Sequence, residues 1–213
     1  MELVEKELLL YDISFKINIW WKDYIMNTPN YWYWNNYFTK KEIIQLNKII
    51  EKEGKELETE NEIARDLNNN NIKFSKVKSI LHNKIKDKLK YLINDIKYVN
   101  QENYGYNIFE MNDKQYHNLN IYSSKINGKY DWHTDKSKNP LTDIKFTVLI
   151  NVSLKDYEGG DFELFNNGIF KIKELNTSGN IIMIKSYMNH RVLPVLKGER
   201  RTLALFIKGS KFV

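Results

Sequence analysis

From about residue 117 onward the sequence is a run of short apolar segments cut by turn residues, and this texture limits the possible folds more than any other feature. The candidate strands read LNIYSS, KFTVLINVSL, DFELF, IFKI, NIIMIKSY, RVLPV and RRTLALFI. Between them stand Asn127-Gly128, Gly159-Gly160, Asn167-Gly168, Ser178-Gly179-Asn180 and Lys197-Gly198, residue types that reach the backbone angles tight turns require. Several short strands at this spacing predict an antiparallel sandwich or barrel.

The first half reads differently. Leu9, Tyr11, Ile13, Phe15, Ile17 and Ile19 alternate with mostly polar neighbours, the period of a half-buried strand. An aromatic cluster, Tyr31 to Trp34, follows Pro29. Thr39 and Glu42 have capping-box spacing, Ile43, Leu46, Ile49 and Ile50 share a helical face, and Gly54 supplies a stop. The polar stretch 55–75 predicts a loop, one that could close as a lid over a cleft. Val77, Ile80, Leu81, Ile85, Leu89, Leu92 and Ile96 predict a second amphipathic helix over about 76 to 98. The fold class expected is mostly β with N-terminal helices, forming one functional unit.

The absence of cysteine removes disulfides, thiolate metal sites, iron–sulfur clusters and a cysteine nucleophile together. Any metal must use imidazole and carboxylate, and there are four histidines: His82, His117, His133 and His190. The net charge of +6 raises the question of a nucleic-acid partner. The basic residues, however, are 29 Lys and 4 Arg, with the lysines spread along the chain. Planar recognition of phosphate or guanine draws on arginine, so the charge reads as a solvated, lysine-rich surface. No stretch approaches the roughly 20 apolar residues of a membrane helix. The N-terminal MELVEKELLLYD carries glutamates where a signal peptide carries basic residues. An intracellular, cytoplasmic protein is the expectation.

The sharpest chemical feature is Tyr130-Asp131-Trp132-His133-Thr134-Asp135. On extended backbone, residues i and i+2 project to the same face, so His133 and Asp135 point together. His190, at the end of an apolar strand, offers a second imidazole. Two histidines and one carboxylate compose the facial triad of non-heme Fe(II) oxygenases. A bare His-x-Asp is also what an ordinary surface pair looks like. Arg200 lies ten residues beyond His190, after the turn 196–199, where a buried guanidinium can hold a carboxylate through two parallel hydrogen bonds. Arg201 has the opposite strand parity and is expected to face out, and Arg191 is a second bland alternative. His82 and His117 are not spaced as ligands and read as structural or exposed.

With these residues in place, the stretch 117–210 resembles the catalytic domain of the prolyl 4-hydroxylase-like 2-oxoglutarate/Fe(II) dioxygenases, above all the PKHD-type hydroxylases of bacteria and phages. The resemblance is carried by YDWHTD (130–135), FTVLINVSLKDYEGGDFEL (146–164), GNIIMIKS (179–186) and HRVLPVLKGER (190–200). It is looser over 31–100, and residues 1–30 match nothing. The resemblance implies a double-stranded β-helix, a cupin-like jelly roll, over 101–213, with 1–100 as a strand and helical support region of a single domain, 1–213. It implies His133, Asp135 and His190 as iron ligands, Arg200 as the 2-oxoglutarate anchor, and Tyr122 as a second co-substrate contact. Tyr122 also reads as an ordinary strand tyrosine. Tyr130 and Trp132 flank the metal segment, as cleft-lining or merely loop-packing rings.

The cofactors implied are Fe(II), 2-oxoglutarate and O2, with ascorbate as an aid to sustained activity. The reaction implied is hydroxylation of a C–H bond coupled to decarboxylation of 2-oxoglutarate to succinate and CO2. Because Asp135 is present, the ligand set is that of a hydroxylase, since halogenating relatives lack this carboxylate. A peptide or protein substrate, prolyl first, is the expected partner, and a virus- or phage-encoded protein acting in a host cell fits the resemblance. Alkylated-base demethylases place a second arginine six residues after the anchor, where this chain has Phe206. The alternatives are a nucleic-acid or small-molecule oxygenase of the same superfamily, and a cupin-like metal-binding protein without oxygenase activity.

Overall fold

A computed structural model of the chain describes residues 29–57, 70–137 and 139–211. The alternating segment Leu9 to Ile19 and most of the polar stretch 55–75 lie outside the described residues.

The N-terminal half holds β1 (Tyr31–Trp34), α1 (Lys40–Glu53), β2 (Lys55–Glu56), β3 (Lys73–Phe74), β4 (Lys76–Leu81) and α2 (His82–Asn103). Helix α1 starts as the sequence predicts. The Thr39 side chain accepts from the Glu42 amide while the Glu42 carboxylate accepts from the Thr39 amide. At its end Gly54 is extended rather than left-handed (φ −77°), and glycine is needed because a Cβ there would stand 2.4 Å from the Ile50 carbonyl oxygen.

Two expectations change. Residues 76–81 form strand β4 rather than the first turns of α2. The sequence KVKSIL alternates as well as it spirals, and the edge of a neighbouring strand decides between the two. The described ends of the 55–75 stretch are also strands, β2 pairing with β4, and β3 with the segment Lys129–Tyr130.

The second half contributes β5 (Tyr116–Ser123), β6 (Lys129–His133), β7 (Thr142–Asn151), β8 (Glu158–Gly159), β9 (Phe162–Phe165), β10 (Ile169–Lys171), β11 (Ile181–Lys185), β12 (His190–Val192), β13 (Val195–Lys197) and β14 (Glu199–Ser210). The strands form a seven-stranded sheet, β1-β11-β7-β14-β5-β4-β2, a five-stranded sheet, β10-β9-β12-β6-β3, and the ribbon β13-β8. All pairings are antiparallel. This is the jelly-roll arrangement of two facing sheets, with the helices as a third layer.

Strand alternation splits the interior into two cores. Phe146, Val148 and Ile150 of β7 and Leu203, Leu205 and Ile207 of β14 meet Ile43, Leu46, Ile50, Leu89 and Leu92 of the helices. On the other face, Leu149, Ile182, Ile184 and Ala204 meet Phe162, Leu164 and Val192 of the smaller sheet. The candidate site lies on this second, inner face.

Candidate metal and carboxylate site

His133 ends β6 and His190 begins β12, and the two stand directly opposite each other in the ladder. Asp135 follows two residues after His133. Its amide donates to the Ser186 carbonyl (3.0 Å), and its Oδ2 accepts from the buried Thr147 hydroxyl (2.6 Å). The carboxylate lies 3.9 Å from His133 Nε2 and 3.5 Å from His190 Nε2. One donor atom from each of the three residues falls within 4.8 Å of the others.

The ring orientation follows from the backbone. His133 Nδ1 is 2.8 Å from the Asp131 carbonyl, and His190 Nδ1 is 2.9 Å from that of Met188. A carbonyl only accepts, so each Nδ1 carries a proton, and each ring turns its Nε2 toward Asp135. Burial, with the neighbouring His190 adding to it, pushes the His133 pKa down to about 3, so that ring is neutral at ordinary pH. Two imidazole lone pairs and a hydrogen-bonded carboxylate on one side of a point are a donor set for a divalent transition metal.

Tyr130 and Trp132 do not share a face. In the β6–β12 ladder His190 pairs with His133 and Val192 with Tyr130, so three steps on β6 oppose two on β12. This β-bulge turns Tyr130 onto the face of His133, where the two rings stack at 3.4 Å and 13°. Trp132 goes to the outer face, with the Arg191 guanidinium 4.4 Å from its ring and Phe165 against its edge. Arg191 also donates from Nε to Glu163 (2.7 Å), which holds it on that outer face.

Arg200 and Arg201 separate as their parity requires. Arg200 lies on the inner face, 1% exposed, and its Nε and Nη2 have no hydrogen-bond partner among the described residues. Tyr122 is its directly opposite residue on β5, with the guanidinium carbon 5.6 Å from the ring centroid. Arg201 takes the other face but does not simply face solvent. Helix α1 lies there, and Arg201 pairs with Glu51 (2.5 Å) and Glu199 (3.3 Å).

The structure adds residues that the sequence reading missed. Thr147 holds the Asp135 carboxylate. Thr202, two residues beyond Arg200 on the same face, has a buried hydroxyl without a hydrogen-bond partner among the described residues, and its opposite residue Asn120 has a carboxamide oxygen in the same condition. Counting by twos from Arg200 finds Thr202 in the sequence, whereas Thr147 and Asn120 need the sheet register. His82 and His117 lie apart from this group: their Nδ1 and Nε2 are 3.0 Å from each other, and both rings are buried. A buried guanidinium with unmet donors beside a three-donor metal group calls for an anionic ligand that also reaches the metal.

Comparison with known proteins agrees with that requirement. Residues 117–208 match the model of the 2OG-Fe(II) oxygenase superfamily. They belong to that superfamily. The oxygenase fold is shared with solved structures at low identity. A Pseudomonas putida prolyl-4-hydroxylase superposes with a TM-score of 0.62 at 12% identity, over 86% of this chain and 95% of that one. The viral collagen prolyl hydroxylase of Paramecium Bursaria Chlorella virus-1, as its 2OG complex, gives 0.61 at 16%, over 87% and 99%. SnoK, a non-heme alpha-ketoglutarate-dependent carbocyclase from nogalamycin biosynthesis, gives 0.57 at 10%, over 86% and 80%. No curated protein matches the chain. The superfamily implies Fe(II), 2-oxoglutarate and O2 as cofactors. Among the described residues no helix is long and apolar enough to cross a membrane.

Proposed function

We propose that this oxygenase hydroxylates a side chain of a peptide or protein, prolyl being the first candidate. In this reading His133, Asp135 and His190 hold the Fe(II), and Arg200 with Tyr122 holds the distal carboxylate of 2-oxoglutarate. The observation that carries it is the convergence of three donor atoms within 4.8 Å on the same inner surface as a buried guanidinium with unmet donors. When bound, the iron and 2-oxoglutarate supply the oxidising chemistry, with succinate and CO2 as coproducts.

The chain's own residues do the rest. The Asp131 and Met188 carbonyls fix the His133 and His190 rings so that both Nε2 atoms face Asp135. Thr147 fixes the carboxylate by taking one lone pair of Oδ2, which leaves the remaining pairs for a metal. Arg200, sealed from water, gives a carboxylate two aligned N–H groups in a low-dielectric setting. Tyr130, stacked on His133, forms the cleft wall nearest the metal group.

The peptide reading rests on the company the fold keeps. One neighbour is a prolyl hydroxylase from Trichoplax adhaerens in complex with a hypoxia inducible factor peptide fragment (TM-score 0.58, 17% identity, 85% of this chain and 84% of that one). Phe206 also stands on the inner face where a base demethylase has arginine, and it packs against the inter-sheet core. The test is succinate formation with Fe(II) and 2-oxoglutarate, stimulated by proline-containing peptides and by single-stranded oligonucleotides at low and high salt. Peptide stimulation that varies little with salt supports the reading. Stimulation by oligonucleotides alone, falling steeply with salt as counterion release requires, overturns it.

A further inference from the structure

Gly159 and Gly160 both take left-handed φ, +74° and +67°, which the sequence reading assigned to turn geometry alone. Their surroundings differ. A Cβ on Gly159 would meet backbone, the Pro194 carbonyl oxygen at 2.5 Å. A Cβ on Gly160 would meet side chains: Val195 Cγ2 at 2.9 Å, Arg200 Cδ at 3.0 Å and Tyr157 Cε2 at 3.6 Å. The Gly160 amide is itself pinned by donating to Pro194 (2.9 Å), so this stretch of backbone cannot easily retreat.

The position matters because Arg200 is a long side chain whose Nε and Nη2 are tied to nothing among the described residues. Its direction is therefore set by what touches its stem. The Tyr122 ring lies near the guanidinium end, and the bare backbone of Gly160 lies against the Cδ methylene. We propose that Gly160 is a positioning residue for Arg200, setting the line along which the guanidinium meets the distal carboxylate of a 2-oxo acid. The inference rests on the anchor role given to Arg200 above. A methyl at 160 pushes the stem sideways by a few tenths of an ångström, and the displacement grows toward the tip. Bidentate pairing tolerates such misalignment poorly.

The experiment titrates Mn(II), and then 2-oxoglutarate in excess Mn(II), into the full chain by calorimetry, with thermal melts alongside. Gly160→Ala should raise the 2-oxoglutarate dissociation constant by about tenfold or more, as small misplacements at reacting groups do, while leaving Mn(II) affinity nearly unchanged. Gly105→Ala is the control for backbone strain alone, having φ +65° and nothing within 4 Å of an added Cβ. It should lower the melting temperature without moving the 2-oxoglutarate constant. If Gly160→Ala folds poorly, adding Val195→Ala removes one of the crowding methyls and keeps the push on Arg200, and the same selective loss is expected. A folded Gly160→Ala that binds 2-oxoglutarate like wild type, while Arg200→Ala does not, overturns the positioning role. Equal loss of Mn(II) and 2-oxoglutarate affinity overturns it as well. Should Arg200→Ala also bind normally, the anchor reading fails and takes this inference with it.

Discussion

The molecule holds two close histidine pairs, and they put their nitrogens to different uses. His82 Nδ1 and His117 Nε2 stand 3.0 Å apart, so one ring's proton occupies the other's lone pair. His133 and His190 turn their Nδ1 atoms toward backbone carbonyls and keep both Nε2 atoms for Asp135. Protonation does not separate the pairs, since burial pushes both His117 and His133 down to about 3. The destination of the lone pair does. Among the described residues only the second pair acquires a third donor within metal-binding reach. In this chain backbone carbonyls take the Nδ1 protons of the second pair and leave both Nε2 atoms beside Asp135, whereas the first pair spends a nitrogen of each ring on the other.

The largest effect expected from breaking this contrast comes at Asp135. Asp135→Ala removes the one carboxylate and should cut 2-oxoglutarate turnover by more than about a hundredfold, since even outer-shell changes reach ten- to hundredfold. Turnover assayed by succinate release checks this. Arg200→Ala comes next, weakening 2-oxoglutarate binding by about 2 to 5 kcal/mol if the charge pair is buried. Arg201→Ala should leave that constant unchanged, and a larger loss at 201 than at 200 would reverse the strand parity. Thr147→Val frees the Asp135 carboxylate and should lower Mn(II) affinity by about ten- to hundredfold while the fold persists.

The smallest effect tests the first pair. His117 is buried neutral, with burial pushing its pKa down to about 3 from the ordinary 6.5 of a free imidazole. The unfolded chain therefore takes up the proton first as pH falls. The neutral ring's contribution is full above about pH 6.5 and is lost progressively toward pH 3. The slope is about 1.4 kcal/mol per pH unit in that window. Urea unfolding at pH 7.5 and 5 should show wild type losing about 2 kcal/mol more than His117→Gln, which has no proton to bind. Equal losses would mean that the pair is hydrated.

What the sequence disclosed was governed by short-range codes. His133, Asp135 and the inward turn of Arg200 follow from counting by twos, and α1 follows from its capping box. Features decided by a distant strand stayed hidden. The extra residue in β6 that separates Tyr130 from Trp132 exists only relative to β12. Lys76 to Leu81 fits either period until β5 offers its edge. The partner of Arg201, Glu51, is 150 residues away in the chain, so parity gave the correct face and the wrong environment.

The central claim is tested most directly by a panel of four single His→Ala variants assayed for Mn(II) binding and for Fe(II)-dependent conversion of 2-oxoglutarate to succinate, each alongside a thermal melt. The account predicts that His133→Ala and His190→Ala lose both readouts while still folded, and that His82→Ala and His117→Ala keep both once corrected for the folded fraction. Full metal binding and turnover in either of the first two, or their loss in a well-folded variant of the second two, would contradict it.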